Sequence, residues 1–258
     1  LYICIFHKIR VDTLMLCELT REEFAAALDA IVGELISEAA IDEPPVDTLA
    51  VAHALGITIA DDDRQQGRAR YVRLSGHGSS RPRTTILLRG DPRRERRQWA
   101  VAHEIGEYAA HRVFAALGVN PREAPGGTRE TVANQLAGRL LLPGGWFSAD
   151  GVDFGWDLLR LKARYWTASH ELIARRMLEC PPAVIVSIFD QGRLYFRRCN
   201  LGGGVPPVSQ EEMNCRQTAH DYNRPQRCSD GLHVIQAWPI HEDGWRREIL
   251  RTEVEEAW

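Results

Sequence analysis

Lysine is almost absent from this chain: among its 32 basic residues only Lys8 and Lys162 are lysines, and the others are arginines. That bias reads as codon composition rather than chemistry. An excess charge of one sign is missing too. A net charge of −3 gives no global reason to expect a nucleic-acid or membrane surface. No apolar run approaches the ~18 residues that a membrane helix needs. The apolar stretch Tyr2-Ile3-Cys4-Ile5-Phe6, ahead of His7, Lys8 and Arg10, is too short for a signal-peptide core, so a cytoplasmic protein is expected. The six cysteines contain no CxxC pair, and free buried thiols are expected rather than a metal cluster or disulfides.

What remains is an ordinary globular composition, with 44% hydrophobic and 26% charged residues, which excludes a disordered, collagenous or disulfide-scaffold chain. The 258 residues suit one elaborated domain or one domain with an appendage. The chain begins with Leu, and Met15 stands just before a helix start, so residues 1–19 are expected to be a start-site extension or disordered leader. Thr20 and Glu23 form a capping-box pattern, followed by Phe24, Leu28, Ile31, Val32 and Leu35 at helical spacing. A short helix from Val46 to Leu55 ends at Gly56, and β signals follow at Ile57–Ala60, Ala69–Leu74 and Thr84–Leu88, the last two separated by the turn Gly76-His77-Gly78-Ser79-Ser80. Residues 49–58 superficially resemble half of a helix-turn-helix, but no second recognition helix follows, and a helix packed on a strand is the simpler reading. Residues 61–98 carry eleven arginines, read as a solvated β-edge before an anion-binding surface.

Further helices are predicted from Asp91 to about Leu117, from Arg129 to Leu142, from Trp156 to Tyr165 and from Ser169 to Glu179. Beyond Ala183 the pattern turns to β, at Ala183–Phe189, Gly192–Arg198, Leu232–Ile240 and Trp245–Arg251. Residues 200–231, rich in Gly, Pro and Asn, read as a long loop. The expected class is α+β, with a small N-terminal β-sheet, a helical core over residues 20–179 and a C-terminal β-rich region over 180–258.

The chemistry concentrates in Ala102-His103-Glu104-Ile105-Gly106-Glu107. His103 and Glu107 are four residues apart, so a helix places them on one face, one turn apart, where both can grip one ion. Glu104 lies ~100° around the helix, within reach of a water on that ion without ligating it, which is where a general base belongs. Ala102, Ile105, Ala109, Val113 and Leu117 form an apolar stripe that buries the same helix. Taken alone, His-Glu-x-x-Glu is weak, and a hydrogen-bonded core histidine is the better account of His103. The next helix strengthens the case by placing Glu130 at its start, 23 positions after Glu107. A third protein ligand leaves the fourth position for water. Glu130 also suits a first turn as a complement to the helix dipole.

These segments together resemble the ImmA/IrrE family of metallopeptidases over roughly residues 44–178. The resemblance rests on Pro44-Pro45-Val46-Asp47, the Ala52–Ile57 segment, Arg97, Ala102–Gly106, and the Glu130-x-x-Ala133-Asn134 helix that ends in Leu141-Leu142-Pro143. It implies a thermolysin-like helical core and a cytoplasmic, zinc-dependent endopeptidase whose substrate is a helix-turn-helix transcriptional repressor, one tied to a stress response or a mobile element. It also implies His103 and Glu130 as ligands and Glu104 as the general base. Glu107 stands where the family has a second histidine, and its oxygen donor widens the choice of ion towards manganese. Eight residues of helix rise ~12 Å, too far for His111 to share an ion with His103. His170-Glu171 lacks an acceptor at Ala174, and His220, His233 and His241 are candidates to stabilise an oxyanion. Two rival readings remain: a catalytically impaired protein-binding module on the same scaffold, and a DNA-binding regulator using residues 46–58 and the Arg-rich strands. Neither a membrane nor direct nucleic-acid binding is expected.

Overall fold

A computed structural model describes residues 20–64, 67–74, 83–202 and 204–254. The expected leader over residues 1–19 and the turn at Gly76–Ser80 lie outside these. The chain divides into two compact units, one made of residues up to 42 with 47–143, the other of 43–46 with 144 onwards. The class is α+β, with two separate sheets. No helix among the described residues is long and apolar enough to cross a membrane.

The first unit opens with α1 (Arg21–Glu38), where the Thr20 side chain caps the backbone of Glu23 and Glu23 reaches back to Thr20. Its apolar face, Leu28, Ile31, Val32, Leu35 and Ile36, is buried. Next, α2 (Thr48–Ala54) is capped by Asp47 and stops where Gly56 takes the left-handed conformation, with φ of +70°. A small sheet follows, of β1 (Thr58–Asp61), β2 (Ala69–Leu74) and β3 (Arg83–Leu88) in the order β1-β3-β2. β3 runs parallel to β1 and antiparallel to β2, with Tyr71 opposite Ile86. Among the described residues, β2 is therefore an edge strand.

Two long helices complete this unit: α3 (Arg94–Ala116) and α4 (Thr128–Leu141). In α3, Ala102, Ile105, Ala109 and Val113 are buried as their spacing requires. α2 is fastened to α3 by a buried polar knot. The Gln98 side chain accepts from the backbone and hydroxyl of Thr48, at 2.8 and 2.7 Å, and donates to Asp47 at 2.9 Å. Pairing of this kind is what burial demands of polar groups.

The second unit carries α5 (Gly144–Asp153), α6 (Leu158–Arg164), α7 (His170–Arg176) with a 3₁₀ turn at Met177–Glu179, and then β4 (Val184–Asp190), β5 (Arg193–Cys199), α8 (Gln210–Tyr222), β6 (Gln226–Ser229), β7 (His233–Glu242) and β8 (Trp245–Val254). The strands make one antiparallel sheet, ordered β5-β4-β8-β7-β6. α5 begins directly after Pro143, at two glycines. Packing overrides the poor propensity of Gly144 and Gly145 here, because α5 buries Phe147 and lets Trp156 sit against Gly151, where a Cβ would come within 2.4 Å of the indole. The helix expected from Trp156 is correspondingly shorter. Trp156 itself has φ of +56°, and Asp157 caps α6.

The loop expected over residues 200–231 is instead interrupted by α8 and β6. Ser209 and Glu212 form a capping box that starts α8. Cys215 and Ala219 then pack against Phe189, Ile235, Ala237 and Leu250 of the sheet. The apolar face of α8 is narrow, and it gains its stability from that sheet rather than from its own sequence.

Candidate metal centre

The close crossing of α3 and α4 creates the site. A Cβ on Gly106 would lie 2.5 Å from the carbonyl oxygen of Ala133, so only glycine lets the two backbones approach this far. Glu130, one turn before Ala133, is thereby brought to the face of α3 that carries His103 and Glu107. One ligand atom from each of His103, Glu107 and Glu130 lies within 4.8 Å of the others.

The donor set is oriented. His103 Nδ1 is 3.1 Å from Asn134 Oδ1, while the Asn134 amide donates to Glu130 Oε1, also at 3.1 Å. With its proton on Nδ1, His103 presents the bare Nε2, which lies 3.6 Å from Glu130 Oε2. An imidazole held this way is preset for a metal, since the partner on one nitrogen fixes the tautomer at the other. His103 and Glu107 are partly buried and Glu130 is exposed, so the group opens to solvent on one side. Glu107 has a partner of its own: Arg129 Nε donates to its Oε2 at 2.6 Å, and Arg129 Nη2 donates to its backbone carbonyl at 3.0 Å. One imidazole nitrogen and two carboxylates, with a fixed tautomer and an open side, fit a divalent ion.

Glu104 lies on the adjoining face of α3. It is buried, and its Oε2 accepts from the backbone N–H of Tyr71 on β2 at 2.7 Å. Burial pushes its carboxyl above the usual range. The neighbouring His103 and the Tyr71 N–H partly offset that, while Glu107 and Glu130 add to it.

Residues 52–178 match the family model described as the IrrE N-terminal-like domain of a peptidase family. These residues belong to the ImmA/IrrE metallopeptidases. Among solved structures, a transcriptional regulator of Mycobacterium tuberculosis is similar at a TM-score of 0.60 and 16% identity, over 90% of this chain and 81% of that one. At that identity the likeness is one of fold. No curated protein matches the chain.

Within this ImmA/IrrE domain the structure brings together His103, Glu107 and Glu130, with Glu104 on the adjoining face of α3. His111 stands apart, its Nδ1 2.8 Å from the Tyr108 carbonyl. In the C-terminal unit, His233 pairs with Asp230, whereas His220 and His241 both contact Glu248. Sequence reasoning assigns no role to Asn134 or Arg129. Asn134 has a local signal, being four residues after Glu130 on one helix face. Arg129 and the Tyr71 amide have none.

Proposed function

We propose that the chain is a zinc-dependent endopeptidase that cuts a helix-turn-helix transcriptional repressor in the cytoplasm, within a stress response. The metallopeptidase part spans residues 20–179, and 180–258 add a β-rich region. The observation that carries this reading is the convergence of His103, Glu107 and Glu130 in an ImmA/IrrE domain, with Glu104 beside them.

His103, Glu107 and Glu130 are the residues that would hold the ion. A bound divalent ion supplies a Lewis acid for the scissile carbonyl and lowers the pKa of its water. Tyr71 holds Oε2 of Glu104, leaving Oε1 to take a proton from the attacking water. The same carboxyl then delivers that proton to the amine released as the C–N bond breaks. β2, as an edge strand, offers backbone hydrogen-bonding groups to an extended peptide.

Arg129 supports a second reading. A guanidinium bonded to Glu107 competes with a cation for that carboxylate, as expected of a scaffold that binds the repressor without cutting it. Incubating the zinc-loaded protein with repressors encoded beside it separates the two. Cleavage that requires both zinc and Glu104 supports the peptidase. Stable complex formation without cleavage supports the binding module.

A further inference from the structure

We propose a second divalent-cation site in the C-terminal unit, formed by His220, His241 and Glu248. It is independent of the proposed peptidase chemistry. The three residues come from α8, β7 and β8, and the register explains how they meet. Glu248 pairs with Pro239, so His241, two residues along β7, shares its face of the sheet. α8 packs on that face through Cys215 and Ala219, which brings His220, the residue after Ala219, to the same carboxylate.

Both imidazoles converge on one oxygen. His220 Nδ1 lies 2.7 Å and His241 Nε2 2.9 Å from Glu248 Oε1. The rings are tilted by 66°, with centroids 5.1 Å apart, so they approach that oxygen from different directions. One ligand atom from each residue lies within 4.8 Å of the others. Zinc bonds of ~2.0–2.2 Å place tetrahedral ligands about 3.3 Å apart, so each imidazole would move about half an ångström from Glu248 Oε1 to admit the ion.

The surroundings fit an ion held by three protein ligands. Glu248 is fully buried and His241 nearly so, whereas the His220 side chain is 39% exposed. Solvent therefore has access from one side, and a water can take the fourth position. Arg216 Nη1 sits 3.3 Å from Glu248 Oε2, with its guanidinium over the Phe189 ring. That contact occupies the second oxygen, so an ion would be held through Oε1 alone and against the charge of Arg216, as Arg129 competes at Glu107. Two imidazoles and one carboxylate suit zinc or cobalt over calcium or magnesium. The ion would tie α8 to the sheet and stabilise the unit whenever it is present.

The test uses the full chain carrying His103→Ala and Glu130→Ala, which disables the α3–α4 group. Zinc is titrated against a chromophoric chelator, and thermal stability is recorded with and without zinc. One equivalent bound and a raised Tm are expected. Adding His220→Ala should weaken that binding by more than the roughly 10–100-fold that loss of an orienting partner costs, and should cancel the rise in Tm. His220 is partly exposed, so its replacement leaves no core cavity, and far-UV circular dichroism verifies the fold. In otherwise wild-type protein, His220→Ala should remove one equivalent whether the total is two or one. A chain with His103→Ala and Glu130→Ala that binds no zinc overturns the proposal. So does zinc binding unchanged by both His220→Ala and His241→Ala.

Discussion

Gly106 on α3 and Ala133 on α4 touch backbone to backbone: a Cβ at position 106 would lie 2.5 Å from the Ala133 carbonyl oxygen and 3.0 Å from its Cα. Both obstacles are main-chain atoms, so no side-chain rotation relieves the clash. Gly106→Ala should therefore force α4 away from α3. The expected cost is about 1–3 kcal/mol, typical of overpacking, read as a lower urea midpoint. Because Glu130 rides on α4, zinc affinity at the His103 group should fall as well. A variant with unchanged affinity would show that the crossing does not set the ligand geometry.

Glu104→Gln should retain metal and lose hydrolysis. The amide oxygen still accepts from Tyr71, so the local shape survives, but it cannot carry a proton. Loss of general-base catalysis typically removes ~10²–10⁴ in rate. Metal analysis and a cleavage assay on the same preparation check both halves. Activity equal to wild type would exclude Glu104 as the base.

Glu107 and Arg129 should trade against each other. Glu107→Ala removes a carboxylate from the group and should weaken zinc binding. Glu107→His supplies the residue found at this position in the family and should tighten it. Arg129→Gln releases the Glu107 carboxylate from its guanidinium and should also tighten binding. Competition with a chromophoric chelator orders the four proteins. If Glu107→Ala binds as tightly as wild type, Glu107 is not a ligand.

Glu212 should make the C-terminal unit acid-sensitive. It is 2% exposed; burial alone would raise its pKa, but hydrogen bonds from Arg197, Thr252 and the Ser209 backbone outweigh that and hold it below the usual range. A depressed folded-state pKa contributes stability above the unfolded value of ~4.3 and loses it as pH falls through the lower folded value. At neutral pH, Glu212→Gln should cost about 3–5 kcal/mol, because Arg197 is left buried without its partner charge. Thermal melts of both proteins from neutral pH down to about pH 3 should show the gap closing only below pH ~4. A gap independent of pH would mean that the Glu212 charge contributes nothing.

The spacing of His103 and Glu107 was legible in the chain because an α-helix converts four residues into one turn, and the buried stripe of Ala102, Ile105, Ala109 and Val113 marks that helix. Asn134 was legible in the same way, four residues beyond Glu130. The capping box at Ser209 and Glu212 was present too, but the helix it starts has a narrow apolar face set in polar, Gly- and Pro-rich sequence, so periodicity did not reveal α8. Tertiary structure alone decided contacts between residues with no fixed relation along the chain. The Tyr71 amide meets Glu104, Arg129 takes the Glu107 carboxylate, and His220 and His241 share an oxygen of Glu248. Local pattern follows from the geometry of one element, whereas these pairings follow from how closely elements pack. At the α3–α4 crossing that closeness depends on the missing side chain of Gly106.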